Sequence, residues 1–284
     1  MRIAAWNVDT GANGGEADPM LRQPAKMEAA KKAIATLGAE VVILSDTSQW
    51  ARIYGNRGLA EEMRPHGYNH AVCTDLEDES LKVDTGVAIL SQLAINQSAI
   101  VRMEDRNGLV VTVTDPSSGK DIQAAAAYLH HEQAARRARQ VAALEGQLDL
   151  TIPTVIAGDL NDVHPRHQEV RRLGGGATRF ALRRMAGLAR LNGSARPMLH
   201  QVGAIMTAIN SMEESRALSH LMSKGFQDAD VRHQPTAPTV FPFLQPDHIL
   251  HSAGLRVIDF TVHRDRVFKA VSDHYPISAK LEVV

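Results

Sequence analysis

Short apolar segments of strand length recur along this chain, and their alternation with helical segments is the feature that most constrains its fold. RIAAWNV (residues 2–8) and EVVILS (40–45) are strand candidates, separated by a helical stretch from Ala25 to Leu37. Apolar residues of that stretch recur on one face at helical spacing. The pattern predicts a β-α-β unit at the start of the chain.

Residues 68–130 show another pattern, in which strand candidates follow one another with little helix between them. They are YNHAVC, TGVAILS, AIVRM, GLVVTVTD and DIQAAAAYL, and the last two are joined by PSSGK, a hairpin signal. A helix from about Glu132 to Leu148 and the strand PTVIAGD come next, and DHILHS, LRVIDFTVH and ISAKLEV close the chain. Hairpins combined with crossover helices predict an α/β protein with mixed sheets and helices outside.

Residues 166–225 separate two strand regions with a largely helical section. Between Arg166 and Arg196, eight arginines stand against one acid, Glu169. Such a run forms a solvated helical face or a positive cap that receives a phosphate-bearing substrate. We expect one domain over residues 1–284, with this section as an Arg-rich insertion.

Composition sets the class of protein. With 284 residues, 44% of them hydrophobic, the chain can bury a sizeable core, and a formal charge of −1 excludes a uniformly basic nucleic-acid coat. Cys73 is the single cysteine and cannot form an internal disulfide. The N-terminal residues lack the apolar core of a signal peptide, and no run approaches the roughly 18 apolar residues of a spanning helix. We expect a soluble cytoplasmic protein without integral membrane association.

Acids and amides mark the ends of the apolar segments. The strand TVIAG runs into Asp159 and Asn161, whose side chains lie on the same side of an extended chain. Two such oxygen-bearing groups can hold a water, a hard metal ion or a phosphate oxygen, although an Asx turn explains the pair about as well. The same placement recurs at other strand ends, where a loop rim would bring these groups together. They are Asn7, Asp46, Asp247, Asp273 and His274.

Seven of these segments occur in the order found in a known superfamily. AAWNV, EVVILSD, TGVAILS, AAYLHH, AGDLND, PDHIL and SDHYPI resemble the motifs of the endonuclease/exonuclease/phosphatase superfamily, whose members resemble deoxyribonuclease I. The resemblance spans Trp6 to Pro276, and GDLN together with SDHYP is its most specific part. It implies a four-layer α/β/β/α sandwich of two mixed β-sheets flanked by helices, with an active site along one edge.

The resemblance also implies roles for individual residues. Asn7, Asp46 and Asp273 match metal-binding positions, for Mg²⁺ or Mn²⁺. Ser45-Asp46 stands where the family usually has Gln-Glu, so the carboxylate lies about one methylene further back than in the family.

The remaining matches concern water and phosphate. Asp159 and Asn161 match the pair that orients or activates the attacking water. Asp247 matches the acid that hydrogen-bonds the final histidine, His274. His130 matches a histidine that contacts the scissile phosphate in many members, and its neighbour His131 is the alternative.

The implied function is a divalent-metal-dependent phosphoesterase that cleaves a phosphodiester or phosphomonoester by in-line attack of an activated water. A nuclease or nucleotide phosphodiesterase is favoured because the arginines add local positive charge. The aromatic content of 4% offers few base-stacking platforms, which keeps a small-molecule phosphatase or a sphingomyelinase-like phospholipid phosphodiesterase as an alternative. An inactive module that binds phosphate ligands is the alternative of another class.

Overall fold

Two mixed six-stranded sheets form the centre of the computed structural model, which describes residues 1–8, 24–74, 86–131, 133–162, 216–237 and 245–284. The first sheet has the order β11-β12-β1-β2-β4-β3 and the second the order β5-β6-β7-β8-β10-β9. The strands are β1 (Arg2–Asn7), β2 (Val41–Ser45), β3 (His70–Cys73), β4 (Val87–Ser91), β5 (Ile95–Met103), β6 (Arg106–Thr114), β7 (Asp121–Tyr128), β8 (Thr154–Asp159), β9 (Gln227–Asp228), β10 (Asp247–His251), β11 (Leu255–Val262) and β12 (Ile277–Val283).

Helices cover the outer faces of both sheets. In the described ranges they are α1 (Pro24–Ala35), α2 (Ser48–Met63), α3 (Ala134–Glu145), α4 (Ala217–Ser223) and α5 (Arg266–Lys269). One apolar cluster fills the space between the sheets, a second packs α1 and α2 on the first sheet, and a third packs α3 and α4 on the second. These layers confirm the predicted α/β/β/α sandwich.

The strand predictions are confirmed, including the first β-α-β unit and the hairpin at PSSGK. β1 pairs with β2 in parallel across α1, and β6 pairs with β7 antiparallel. The sequence patterns did not predict α2, which is broken at Gly55 by a positive φ of 58°. Buried Trp50, Leu59 and Met63 hold this helix on the first sheet.

The inserted section lies mostly outside the described residues. Of the range 166–225, the structure describes only residues 216–225, which contain α4. The single-domain assignment and the Arg-rich insertion therefore stay predictions.

Sheet register brings the predicted site residues to one edge of the sandwich. Asn7 is the register partner of Ser45 in the first sheet, and β12 begins beside the end of β1. In the second sheet Asp159 is the register partner of both Tyr128 and Asp247. The carboxyl ends of β1, β2, β7 and β8 thus meet the amino ends of β10 and β12.

Candidate active site

Asp159, at the end of β8, is held by two hydrogen bonds from residues of the predicted site. Asn7 Nδ2 donates to Asp159 Oδ2 over 2.9 Å and so joins the two sheets, while the Asn161 amide donates to Asp159 Oδ1 over 3.0 Å. Asn161 is itself fixed, because its Nδ2 donates to the Leu129 carbonyl oxygen over 3.0 Å. Both Asp159 carboxylate oxygens are therefore oriented by the strand ends around them.

His274 lies beside Asp247, as the sequence resemblance implies. Its Nδ1 is 2.8 Å from Asp247 Oδ2, and the same oxygen accepts a 2.6 Å hydrogen bond from the Thr236 hydroxyl. The ligand atoms of Asp159, Asp247 and His274 all lie within 4.8 Å of one another. Asp273 is 59% exposed, and its Oδ1 is 3.8 Å from His274 Nε2. The structure thus brings together residues that are up to 115 positions apart in sequence.

Burial and charge set the protonation of this cluster. Burial raises the pKa of the Asp159 carboxyl to about 6, with Asp247 acting in the same direction and His274 opposing it. Burial alone would lower the pKa of His274, but the Asp247 carboxylate outweighs burial, and the pKa lies well above its usual value. The site therefore contains a carboxylate that can take up a proton near neutral pH and an imidazole that favours its charged form.

Two site residues occupy the left-handed region of backbone conformation. Asp46, directly after β2, has a φ of 59°, and Asn161 has a φ of 47°. Asp and Asn tolerate this region better than other residues with a Cβ. Both side chains are buried, so these turns direct an acid and an amide inward rather than into solvent.

His130 lies in a separate set of contacts at the end of β7. Gln133 N donates to its Nδ1 over 3.2 Å, its Nε2 is 3.7 Å from Asp105 Oδ2, and its ring stacks on His131 with a centroid distance of 5.3 Å. Burial, only partly offset by Asp105, lowers its pKa. The described contacts place His130 near α3 and the β5–β6 turn, and they do not distinguish it from His131 as the phosphate contact.

Tyr128 and Arg106 are site residues that the sequence reasoning missed. Burial raises the pKa of the Tyr128 phenol, and the negative charges of Asp46 and Asp159 act in the same direction. The Arg106 guanidinium lies 4.1 Å from the Tyr128 ring centroid and donates to the Tyr128 carbonyl oxygen over 3.3 Å. Tyr128 lies in the motif AAYLHH and is the register partner of Asp159. Its position at the end of a predicted strand was the sequence signal that could have identified it. Arg106 gave no local signal.

A charged network lies directly behind the strand ends. His248 is fully buried, with Nδ1 2.8 Å from Asp228 Oδ2 and Nε2 3.1 Å from the Asp162 carbonyl oxygen. Asp162 Oδ2 accepts hydrogen bonds from Ala217 N and Leu218 N at the start of α4. Burial lowers the pKa of His248 by itself, yet Asp228 outweighs it and raises the pKa to about 9. This network therefore links Asp162 and His248, which directly follow the site residues Asn161 and Asp247 in the sequence.

The donor set fits a hard divalent cation. Asn7, Asp46, Asp159, Asp247 and Asp273 supply amide and carboxylate oxygens, which are the ligands that Mg²⁺ and Mn²⁺ prefer. Asp247 Oδ1 is buried and has no hydrogen-bond partner among the described residues. An unsatisfied buried carboxylate oxygen is costly, and a bound cation or water would satisfy it.

Two packed mixed sheets with an acid- and histidine-containing edge define the deoxyribonuclease I-like class of α/β sandwich. The chain belongs to the Endonuclease/Exonuclease/phosphatase family, whose model matches residues 4–274. Members of this family are phosphoesterase hydrolases that generally use divalent metals. A search of curated protein sequences finds no match to the chain.

Solved structures share this fold at low sequence identity. The catalytic domain of human Nocturnin with a bound sulfate anion is 14% identical, with a TM-score of 0.65 and coverage of 100% of this chain and 94% of that one. An AP endonuclease from Archaeoglobus fulgidus is 16% identical, with a TM-score of 0.62 and full coverage of both chains. A mannosyl-6-phosphatase from Bacteroides thetaiotaomicron is 13% identical, with a TM-score of 0.61 and 99% coverage of both.

The longest helix in the described ranges is α2, with 16 residues. Among the helices of these ranges, none combines the length and the apolar character that crossing a membrane requires.

Proposed function

We propose that this protein is a divalent-metal-dependent phosphoesterase that cleaves its substrate by in-line attack of a water molecule. The observation that carries the proposal is the convergence of Asp159, Asp247 and His274 within 4.8 Å at the edge where the two sheets meet. Phosphoryl transfer requires positioning of the nucleophile and stabilisation of charge on the phosphate oxygens. The edge supplies groups for both requirements.

Asn7, Asp46 and Asp273 would hold Mg²⁺ or Mn²⁺ in this proposal. When bound, the ion offsets negative charge on the phosphate oxygens. Asn7 also donates to Asp159, so the residues assigned to the metal and to the water are in direct contact. The shorter Asp46 side chain belongs to a residue with positive φ, which sets where its carboxylate lies.

Asp159 and Asn161 position the attacking water. The two donors to Asp159 orient its carboxylate, and its raised pKa, about 6, suits a group that accepts a proton from water near neutral pH. Asn161 Nδ2 donates a hydrogen bond to the Leu129 carbonyl oxygen. The side-chain carbonyl oxygen of Asn161 is therefore the atom that accepts a hydrogen bond from the water.

His274 contacts the phosphate as a positively charged donor. The Asp247 carboxylate fixes its ring through Nδ1 and stabilises the imidazolium, which leaves Nε2 as the donor to a phosphate oxygen. His130, with His131 stacked on it, provides the second histidine contact to the scissile phosphate. Substituting each of the two in turn distinguishes which one acts.

A nucleic acid or nucleotide is the substrate class we favour. The support is the local positive charge of the arginine-rich sequence between Arg166 and Arg196. A small-molecule phosphatase or sphingomyelinase-like phosphodiesterase is the second candidate, favoured by the aromatic content of 4%. The similar structures include a 2',3'-cyclic phosphatase with adenosine-2',3'-vanadate as well as the mannosyl-6-phosphatase, so the fold accommodates either class.

The test is hydrolysis of bis-p-nitrophenyl phosphate and p-nitrophenyl phosphate by the purified chain. We expect activity that EDTA abolishes and that added Mg²⁺ or Mn²⁺ restores. A panel of single-stranded DNA, duplex DNA, RNA, nucleotides, sugar phosphates and sphingomyelin then identifies the substrate class. If metal-loaded protein cleaves none of these and still binds phosphate ligands, the chain is a binding module and the proposal is wrong.

A further inference from the structure

Ser45 connects the first sheet to the backbone of Asp159 in the second. Its hydroxyl oxygen accepts a hydrogen bond from the Asp159 amide over 3.2 Å, and it lies 3.5 Å from the Ala127 carbonyl oxygen. The Ser45 side chain is fully buried. One hydroxyl at the end of β2 therefore contacts both β7 and β8 across the interior of the sandwich.

Gly158 makes this contact geometrically feasible. Its φ of 134° lies in the region that favours glycine, within β8 and directly before Asp159. A Cβ at this position would lie 2.1 Å from the Ala127 carbonyl oxygen and 3.0 Å from Ser45 Oγ. The absence of a side chain at Gly158 therefore leaves room for the neighbouring strand β7 and for the Ser45 hydroxyl of the first sheet.

Two neighbours in the first sheet hold Asp159 by different groups. Asn7, the register partner of Ser45, donates to the Asp159 carboxylate, whereas Ser45 accepts from the Asp159 amide. Without Ser45, the described hydrogen bonds from the first sheet to Asp159 would reach only its carboxylate. That carboxylate is the group that must remain oriented toward the attacking water.

We propose that Ser45 is a positioning residue, which fixes the distance between Asp159 on the second sheet and the metal-holding Asn7 and Asp46 on the first. This inference rests on the proposed phosphoesterase function. A positioning hydrogen bond next to catalytic and metal-binding groups typically contributes 10- to 100-fold in activity or metal affinity. A misplacement of about 1 Å has a comparable effect on rate.

Ser91 provides a matched control. It is also fully buried, in β4 of the same sheet, and its hydroxyl donates to the Leu93 carbonyl oxygen over 2.7 Å and accepts from Leu93 N over 3.0 Å. It is the register partner of Val41, at the end of β2 away from Ser45. Ser45→Ala and Ser91→Ala therefore remove chemically similar buried hydroxyls at opposite ends of one pair of strands.

The experiment compares the two variants in three measurements: kcat and KM for bis-p-nitrophenyl phosphate with Mn²⁺, Mn²⁺ affinity by titration calorimetry, and urea midpoint. We expect Ser45→Ala to lower kcat about 10- to 100-fold with KM within about threefold, or to weaken Mn²⁺ binding by the same factor. Ser91→Ala should change the urea midpoint without changing kcat or Mn²⁺ affinity.

If Ser45→Ala does not fold, Ser45→Cys and Ser91→Cys replace the two variants, because a thiol keeps the shape and is a weaker acceptor. Equal kcat and equal Mn²⁺ affinity in the Ser45 and Ser91 variants would overturn the positioning role while leaving the proposed function intact. Absence of metal-dependent hydrolysis in the parent protein would instead overturn the proposed function.

Discussion

Replacement of Gly158 by alanine should destabilise the protein by a predictable amount. The new Cβ would lie 2.1 Å from the Ala127 carbonyl oxygen, which is a backbone atom and cannot rotate away. A residue with a Cβ at a positive φ costs about 1–2 kcal/mol. Overpacking a dense interior costs about 1–3 kcal/mol more. We therefore expect Gly158→Ala to lower the unfolding free energy by about 2–5 kcal/mol.

Gly38→Ala separates the two contributions. Gly38 also has a positive φ, 59°, but a Cβ there would meet no atom within 4 Å. This variant should show only the backbone cost of about 1–2 kcal/mol. The excess destabilisation of Gly158→Ala over Gly38→Ala then reports mainly the clash of the new Cβ with the backbone of β7.

Urea-induced unfolding followed by circular dichroism measures both values by linear extrapolation. Gly158→Ala should also lower phosphoesterase kcat, because the clash displaces Asp159, while Gly38→Ala should not. If Gly158→Ala proves no more destabilising than Gly38→Ala, the close approach of Gly158 to the Ala127 carbonyl oxygen of the neighbouring strand β7 is wrong.

Three further substitutions test other parts of the account. Asp162→Ala removes the acceptor of two amide hydrogens at the start of α4 and the buried ion-pair partner of Arg137, so the unfolding free energy should fall by at least about 3 kcal/mol, and an unchanged urea midpoint would contradict these contacts. For His248, the Asp228 carboxylate outweighs burial and raises the folded-state pKa to about 9. Protonation of His248 therefore stabilises the fold by on the order of 3 kcal/mol below about pH 6.5. This stabilisation is lost as the pH rises through about 9. The stability difference between the parent and His248→Gln in EDTA should therefore shrink from pH 6.5 to pH 9.5, and a constant difference would show that His248 is not charged in the fold. Tyr128→Phe removes the hydroxyl of the register partner of Asp159 and should lower kcat about 10- to 100-fold with little change in the urea midpoint, whereas a parent-like kcat would place this hydroxyl outside the reaction.

Much of the fold could be predicted from the sequence because local patterns dictate it. Apolar runs bounded by turn residues gave the strands, and PSSGK marked the β6–β7 hairpin that the structure confirms. The helix α2 was missed because Gly55 breaks it and only a few apolar residues, such as Trp50 and Leu59, mark its buried face. A helix that depends on such tertiary contacts has a weak local signal.

The candidate site could be predicted in part for a related reason. Asp159, Asp247 and His274 stand at strand ends, and strand ends meet at one edge of a sandwich, so their convergence follows from pattern and topology. The roles of Arg106 and Ser45 depend on which atoms of one element or sheet approach another. These tertiary contacts join segments that are distant in sequence, so no local sequence pattern predicts them.

The central claim is that a metal-dependent phosphoesterase site is built around Asp159 and His274. The most direct measurement is kcat/KM for bis-p-nitrophenyl phosphate with saturating Mn²⁺ in the parent, Asp159→Asn and His274→Gln, with His251→Gln as the control. His251 is a buried histidine at the other end of β10, and its Nδ1 lies 3.1 Å from the Ser252 carbonyl oxygen. The account predicts a fall of at least about 100-fold in both site variants and parent-like activity in the control. Folded site variants that retain activity within about tenfold of the parent would contradict it.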